Sequence, residues 1–259
     1  MLTIEQLKQV CPSAFAESKH DNTSDNYRFY PTAKVIEALT DVGFYPTYAK
    51  QTRCRDIERR NYTKHILRFR HNKQFIKVGE EVPEIILQNA HDGTSSYQIG
   101  MGIFRLVCSN GLAVKSHSIS EIKIRHSGDE RLIDNVIEGS YHVINEAPKV
   151  AAQIDDYKQK LLDLRQQEQL AIKALGLRDS SLEINPIHLL AARRQSEFVN
   201  DNGDRDLWTT FNVIQENMIR GGVLGYNSKN KSRRSRPIKA AGADLKLNKG
   251  LWELLEQAA

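Results

Sequence analysis

The chain has 259 residues and a mass of 29.5 kDa, with 40% hydrophobic and 27% charged residues. This composition supports a buried core and excludes a wholly disordered or fibrous protein. The formal net charge of +5 is a mild excess that is compatible with a polyanionic partner. Cys11, Cys54 and Cys108 are far apart, and no apolar run reaches the ~20 residues of a membrane span. We therefore expect no disulfide framework, no metal site and no membrane association, and we expect a cytoplasmic protein.

Residues 1–43 predict two helices separated by a polar loop. Thr3 and Gln6 form a capping-box pattern, which starts the first helix, and Pro12 should end it. The second helix follows Pro31 and should stop at Gly43, since glycine readily adopts the backbone conformation that ends a helix.

From Phe44 to His126 the pattern changes to alternation and β-branched runs, which are typical of strands. We predict strands near 45–54, 63–71, 84–90, 97–108 and 119–126. Asp92-Gly93 predicts a hairpin between the third and fourth strands. Because strands that follow each other in the chain tend to pair, the sheet should be an antiparallel meander.

Helical spacing returns after Gly128. Pro148 should kink or restart the helix, and the apolar residues of 150–164 repeat in steps of four and three, like a short coiled-coil seam. The seam either packs within the chain or forms a subunit contact, and Gly176 should end it. Further helices are predicted at 186–195, 206–219 and about 245–257, with a mobile basic loop at 225–240. Asp206 should cap the second of these helices, and Gly221-Gly222 should end it.

The predicted fold class is α+β, with an antiparallel β-meander core flanked by an N-terminal helical segment and long C-terminal helices. Residues 1–176 should form the core with its basic sheet and long helix. Residues 177–259 should form a helical region whose basic loop packs back on that core.

Positive charge is concentrated between Lys50 and Lys77, where ten basic residues face only two acidic ones. Alternation along a strand puts Lys64, Arg68 and Arg70 on one face. The same rule puts Lys123 and Arg125 together on a later strand. If these faces coincide, they form a basic track suited to a phosphate backbone. The predicted track consists of Arg53, Arg55, Arg59, Arg60, Lys64, Arg68, Arg70, Lys123 and Arg125.

A second cluster has six bases and no acids between residues 229 and 239. Within the predicted loop, Lys231, Arg233, Arg234 and Arg236 could clamp a polyanion by releasing its counterions. Tyr45, Tyr48 and Tyr62 lie near the first cluster and could stack on unpaired bases. The alternative is that the basic strands are solvated edges, where Lys and Arg discourage aggregation.

Catalytic patterns are weak. Asp92, Glu121 and Lys123 fit the D…E-x-K arrangement of metal-dependent nucleases, in which two carboxylates hold a metal and a lysine steadies the attacking water. An Asp-Gly turn explains Asp92 without chemistry. Cys108 with nearby histidines carries no signature of a known cysteine enzyme. The sequence leaves enzymatic activity undecided but favours a non-enzymatic protein without catalytic residues, metal or cofactor.

Several motifs carry a family resemblance. They are His91-Asp92-Gly93, segment 102–112, segment 207–217, Arg220-Gly221-Gly222, Pro31-Thr32, Gly43-Phe44, Leu247-Asn248 and Leu251-Trp252. Together they resemble the plasmid- and prophage-borne family called domain of unknown function 932, over almost the whole chain. The resemblance implies a mobile-element protein and supplies no catalytic residue. The polar residues Asn212, Gln215, Glu216 and Asn217 should form a network that locks their helix to the sheet rather than a ligand site.

The order of elements is also similar to the core of single-strand annealing proteins of the Rad-fifty-two, Redβ and RecT type, a fold-level analogy. The leading hypothesis is a DNA-binding protein that favours single strands and promotes annealing in plasmid or phage DNA metabolism. It leaves open whether the chain forms homo-oligomers. The alternatives are the metal-dependent nuclease and a protein-binding antagonist of a host defence or repair factor.

Overall fold

The computed structural model of the chain describes residues 1–72, 81–105, 111–114, 122–124, 131–178 and 180–259. In this part of the chain the α-helices are α1 (Ile4–Val10), α2 (Thr32–Asp41), α3 (Leu132–Asn145), α4 (Ala147–Gln159), α5 (Leu164–Leu175), α6 (Leu207–Arg220) and α7 (Ala241–Ala258). The strands are β1 (Phe44–Gln51), β2 (His65–His71), β3 (Glu81–Asn89), β4 (Tyr97–Arg105), β5 (Gly111–Val114), β6 (Ile122–Ile124), β7 (Leu161–Leu162), β8 (Arg205–Asp206), β9 (Leu224–Tyr226) and β10 (Ser232–Arg234). The predicted α+β class is confirmed.

Within the described residues, β1 to β6 form one antiparallel sheet. The strands from β1 to β5 pair in chain order, and β6 also pairs with β4. The meander and the hairpin between β3 and β4 are therefore as predicted. β5 was not predicted, since it lies between the strands predicted near 97–108 and 119–126.

The described residues group into two compact units. One contains Met1–Pro148 with Ala240–Gly242, and the other contains Lys149–Lys239 with Ala243–Ala259. The predicted division of the chain into two domains at residue 176 stays a prediction. None of the described helices combines the length and the apolar character needed to cross a membrane.

Local signals place the N-terminal helices as predicted. The Thr3 hydroxyl accepts the Gln6 N–H and the Gln6 side chain accepts the Thr3 N–H, which completes the capping box of α1. Gly43 follows α2 with φ +93°, and a Cβ there would lie 2.9 Å from Asn72 Oδ1. Both conformation and space therefore favour glycine at this position.

One buried hydroxyl, that of Thr32, joins α2 to the sheet. Its Oγ1 lies 3.1 Å from His65 Nε2 and 3.0 Å from His91 Nε2. It accepts a hydrogen bond of 3.1 Å from Asn89 Nδ2 and lies 3.1 Å from Tyr97 Oη. These five side chains have no exposed surface. Thr32 and His91 come from two separate segments that carry the family resemblance, so the two motifs meet in this polar cluster.

Burial also determines the pKa of the nearby Cys11 thiol. The thiol is fully buried, and desolvation raises its pKa to about 11 in spite of an opposing contact with Ser13. The side chain therefore behaves as a small neutral core group.

Three predictions for the C-terminal half are wrong. The seam at 150–164 is not continuous, because α4 ends at Gln159 and β7 pairs with β8 before Asp163 caps α5. Leu161 is 61% exposed, which shows that it does not belong to a packed seam. The segment 225–240 is not an unstructured loop, because β9 and β10 form an antiparallel hairpin. The helix predicted at 186–195 is a short 3-10 helix at Pro186–Leu190.

We expect Thr32→Val to lower the free energy of unfolding by about 2–3 kcal/mol, because it keeps the side-chain shape but leaves buried polar partners without the hydroxyl. Urea denaturation measures this change. Thr40→Val is the matched control, since the half-buried Thr40 hydroxyl bonds only to Ile36 O of its own helix among the described contacts. A loss of less than about 0.5 kcal/mol in Thr32→Val, the usual range for surface changes, would contradict a structural role for the cluster.

Candidate nucleic-acid interface

The strand arginines of the predicted basic track are engaged in ion pairs. Along β2, His65, Leu67, Phe69 and His71 are buried while Arg68 and Arg70 are half-buried, so the predicted alternation is confirmed. Glu84 of β3 has no exposed surface. It lies 2.9 Å from Arg68 Nε and 2.7 Å from Arg70 Nη2.

These contacts reduce the charge that the sheet offers to a ligand. The Arg68 guanidinium also lies over the Tyr48 ring, 4.6 Å from its centroid. One carboxylate and one aromatic ring thus hold the two cations in place. Phosphate contacts by Arg68 and Arg70 stay a prediction. Because both cations are already engaged, this sheet offers less free positive charge than the cluster at 229–239.

The other residues of the predicted track differ in exposure, and some of their side chains are outside what the structure describes. Arg53, Arg55, Arg59 and Arg60 are exposed, and Lys64 is half-buried. The side chain of Lys123 on β6 is outside what the structure describes, and Arg125 lies outside the described residues. The structure therefore brings the exposed arginines together on one loop, between β1 and β2, and leaves the continuity of the track untested.

Asp92 of the nuclease alternative is held by neighbouring side chains. Its Oδ2 accepts from Arg59 Nη2 at 3.0 Å, and its Oδ1 accepts from the N–H and hydroxyl of Thr94. Burial alone would raise the pKa of Asp92, but the bonds from Thr94 and Arg59 lower it below its usual value. Glu121 and Cys108 lie outside the described residues. The contacts favour the turn role of Asp92.

The second basic cluster lies on the hairpin of β9 and β10, which is held close to the preceding chain. Tyr226 exchanges two backbone hydrogen bonds of 2.8 Å with Glu183. A Cβ at Gly225 would lie 2.7 Å from Glu183 O. Only glycine allows this approach without a backbone shift, so the hairpin has a defined position within its unit.

The hairpin is also fixed at the end of α6. Asp206 caps the start of α6 and Gly221 follows its last residue, as predicted. Gly221 has φ +68°, and a Cβ there would lie 2.6 Å from Ser235 O. The backbone of Ser235 bonds to Gly222 and Val223 on the other side of the turn. The chain that leaves α6 and the chain that leaves β10 therefore run in close contact.

Arginines from several segments converge on the C-terminal end of α6. Arg178 Nη1 donates to Met218 O at 2.5 Å, and another nitrogen of the same guanidinium donates to Arg236 O. Arg193 Nη2 donates to Gly221 O at 3.1 Å. Arg234 Nη1 donates to Gly222 O at 2.7 Å. Positive groups are favourable there, because the last carbonyls of a helix lack partners within the helix and carry partial negative charge.

A buried carboxylate strengthens this convergence. Glu216 is 1% exposed and accepts from Arg194 at 2.5 and 2.9 Å, while Arg220 lies 3.1 Å away. Burial alone would raise the pKa of Glu216, but the Arg194 hydrogen bonds and the charges of Arg194, Arg220 and Arg193 lower it. Glu197 also pairs with Arg194 at 2.7 Å. The resulting cluster of arginines has more positive than negative groups.

The polar residues of α6 form the predicted network, but with other partners than the sheet. Asn217 Nδ2 donates to Leu189 O and Ala191 O, and Gln215 Nε2 donates to Asn248 Oδ1 on α7. Asn212 bonds to its own helix, at Trp208 O. The network therefore fixes α6 to the 189–197 segment and to α7.

We define the cationic end as the C-terminal turn of α6, the arginines that contact it and the β9–β10 hairpin. Its exposed cations all lie on the hairpin or close to it in the chain. They are Lys229, Lys231, Arg233, Arg234, Arg236 and Lys239. In the part of the chain that the structure describes, none of these six is in an ion pair with a carboxylate. No grouping of three or more metal-binding side chains occurs among the described residues.

Sequence reasoning found the hairpin cations but missed several parts of this surface. Arg178, Arg193 and Arg194 lie 22 to 58 residues from partners that only the fold brings close. Arg220 pairs with Glu216 one helical turn away, but its place in the surface depends on the other three. Tyr226 is 44% exposed beside the cations, whereas the tyrosines chosen for stacking lie in the other unit. Two sequence features could have indicated this surface. They are the Arg193-Arg194 pair, which follows an apolar segment, and the Arg220-Gly221-Gly222 motif, which ends another.

Residues 19–252 match the family described as Domain of unknown function (DUF932). Two Escherichia coli (strain K12) proteins, UPF0380 protein YfjQ and UPF0380 protein YafZ, are each 42% identical to this chain over 257 residues. The alignments cover 98% of this chain and 90% of each relative. No solved structure matches the chain. Neither name states an activity.

We expect Glu216→Gln to lower the free energy of unfolding by about 3 kcal/mol at neutral pH, because it removes the carboxylate that balances partly buried arginines. The lowered pKa of Glu216 adds a pH signature. Its contribution is present above the ordinary Glu pKa of about 4.3 and is lost as the pH falls below it. Denaturation of wild type and variant from neutral to acidic pH should therefore show the difference shrinking.

Glu168→Gln on α5 is the control, since Glu168 is half-buried and has no ion pair among the described contacts. Equal loss in both variants, or a difference that stays constant down to acidic pH, would contradict the proposed role of Glu216.

Proposed function

The chain belongs to the DUF932 family, whose description names no activity, and from its own residues we propose that it binds nucleic acid through the cationic end of α6. The observation that carries this proposal is the density of exposed cations on the hairpin. Six bases occur within residues 229–239 without an intervening acid. A phosphate backbone is the polyanion whose regular charges such a row of bases neutralises, with release of bound counterions.

The geometry of the hairpin supports the proposal. Arg234 is anchored to Gly222 O, and Arg236 is joined through its carbonyl to Arg178. Gly221 approaches the chain that follows β10, and Gly225 packs β9 against Glu183 and Ile184. Cations that are already positioned lose less conformational freedom when they bind than cations on a free loop. The hairpin is therefore better prepared for a ligand than the mobile clamp that the sequence predicted.

The finer parts of the hypothesis rest on analogy. Annealing, plasmid or phage DNA metabolism and self-association follow from the family resemblance and from the similar order of elements in single-strand annealing proteins.

The two alternatives receive less support from contacts. The nuclease requires Asp92 to bind metal, yet both of its carboxylate oxygens accept hydrogen bonds from Arg59 or Thr94. A protein-binding antagonist would need an acidic partner, which the same cations could contact. The two ligand classes differ in their salt dependence, because a nucleic acid has condensed counterions to release.

We expect the double charge reversal Lys231→Glu/Arg233→Glu to weaken oligonucleotide binding about tenfold or more at 0.1 M salt, with little dependence on base sequence. The slope of log affinity against log salt should become shallower by roughly 1.4 for a single strand, because two phosphate contacts are lost. Fluorescence anisotropy with labelled DNA at several salt concentrations measures both quantities.

Arg165→Glu/Lys173→Glu on α5 is the matched control, since it changes the net charge of the same unit equally at two exposed positions. Its binding should remain close to that of wild type apart from a small long-range effect. Equal weakening by both double variants, or no binding of DNA or RNA by the wild type at low salt, would overturn the proposal. Magnesium-dependent cleavage would favour the nuclease instead.

A further inference from the structure

The hairpin has one face that differs in chemistry from a simple phosphate-binding surface. In the pairing of β9 with β10, Tyr226 lies opposite Ser232 and Leu224 lies opposite Arg234. Because side chains directly opposite each other in a pair share a face, these four side chains form one surface. All four residues are exposed. The face thus combines an aromatic ring, an aliphatic group, a hydroxyl and a guanidinium.

The aromatic ring is displayed from a fixed backbone. Tyr226 is 44% exposed, yet its N–H and C=O both bond to Glu183 at 2.8 Å. On the opposite face Gly225 is buried against Glu183 and Ile184. Within β9, Gly225 therefore faces inward and Tyr226 faces outward, so the backbone contacts of the strand keep the ring at the surface.

Arg234 lies on the same face of the hairpin as this ring. Its described hydrogen bond to Gly222 O uses one N–H of the five that an arginine carries, which leaves donors for a phosphate. Tyr226 and Arg234 are diagonal neighbours on the same face, at about 7–8 Å between backbones. Such a pair can contact the base and the phosphate of neighbouring nucleotides at the same time.

We infer that the Tyr226 face stacks on an unpaired base and makes the cationic end selective for single-stranded nucleic acid. This inference rests on the proposed function, to which it adds the strand state of the ligand. In a duplex both faces of each internal base are covered by neighbouring bases, so the ring has no free partner. In a single strand every base offers a face, and stacking tolerates any sequence. The ring and the guanidinium then act together, one on the base and one on the backbone.

The test compares base-bearing and abasic strands. The probes are a labelled thymidine oligonucleotide of about 15 nucleotides, an abasic strand of equal length and a duplex. Tyr226→Ala should weaken binding to the thymidine strand by about 5- to 150-fold, the range for losing one stacked base. Its affinity for the abasic strand and for the duplex should stay within about twofold of wild type. The salt dependence should not change, because no phosphate contact is removed.

Conservative and control variants distinguish stacking from damage to the hairpin. Tyr226→Phe should retain binding, and Tyr226→Trp should show quenching of the new indole emission when the thymidine strand is added. Phe198→Ala removes another exposed aromatic side chain of the same unit, 63% exposed and outside the hairpin. Its binding to all three probes should equal that of wild type.

The outcomes separate this inference from the proposed function. If wild type binds abasic and thymidine strands equally, and Tyr226→Ala changes neither, base stacking is wrong while phosphate binding stands. If Tyr226→Ala weakens all three probes alike, or if Tyr226→Phe weakens binding as much as alanine does, selectivity through the ring is also wrong. Absence of binding to every probe at low salt overturns the proposed function itself.

Discussion

The end of α6 must satisfy its carbonyl groups and the charge of Glu216 inside the protein, and the surface described above depends on this constraint. Residues along the helix up to Ile219 are almost all buried, so water cannot supply every partner. Arginines from distant segments do so instead. Arg178 and Arg193 bond to carbonyls of the final turns, and Arg194 bonds to Glu216. The same groups that stabilise the helix end therefore create a positive region next to the hairpin.

A second buried polar cluster organises the other unit in a similar way, and its side chains have no exposed surface. Thr32 connects α2 with His65, His91 and Asn89 on or beside the sheet. Glu84 likewise binds Arg68 and Arg70 across neighbouring strands. In this unit the basic residues of β2 belong to a structural ion cluster. In the other unit the hairpin cations project from the fold. This exposure, together with the density of its cations, makes the hairpin the better candidate interface.

The sequence predicted features that are decided within a few residues, and it failed where distant partners decide. The capping box at Thr3, the cap at Asp206 and the Asp92-Gly93 hairpin depend on local chemistry, and the alternation of β2 follows from strand geometry. β10 was missed because Ser232–Arg234 has no apolar alternation and is held by the close packing of Gly221 and Gly225. The partner of Arg68 could not be deduced without the register that brings Glu84 beside it.

Photochemical crosslinking tests most directly whether a strand lies on the cationic end. A single strand carrying a photoreactive thymidine analogue would be irradiated with the full-length protein, and the modified peptides would be identified by mass spectrometry. Our account predicts adducts within residues 224–236, lost when excess unlabelled single strand is added. Adducts confined to the arginine loop at 53–60 or to the β2 strand, with none on the hairpin, would contradict it.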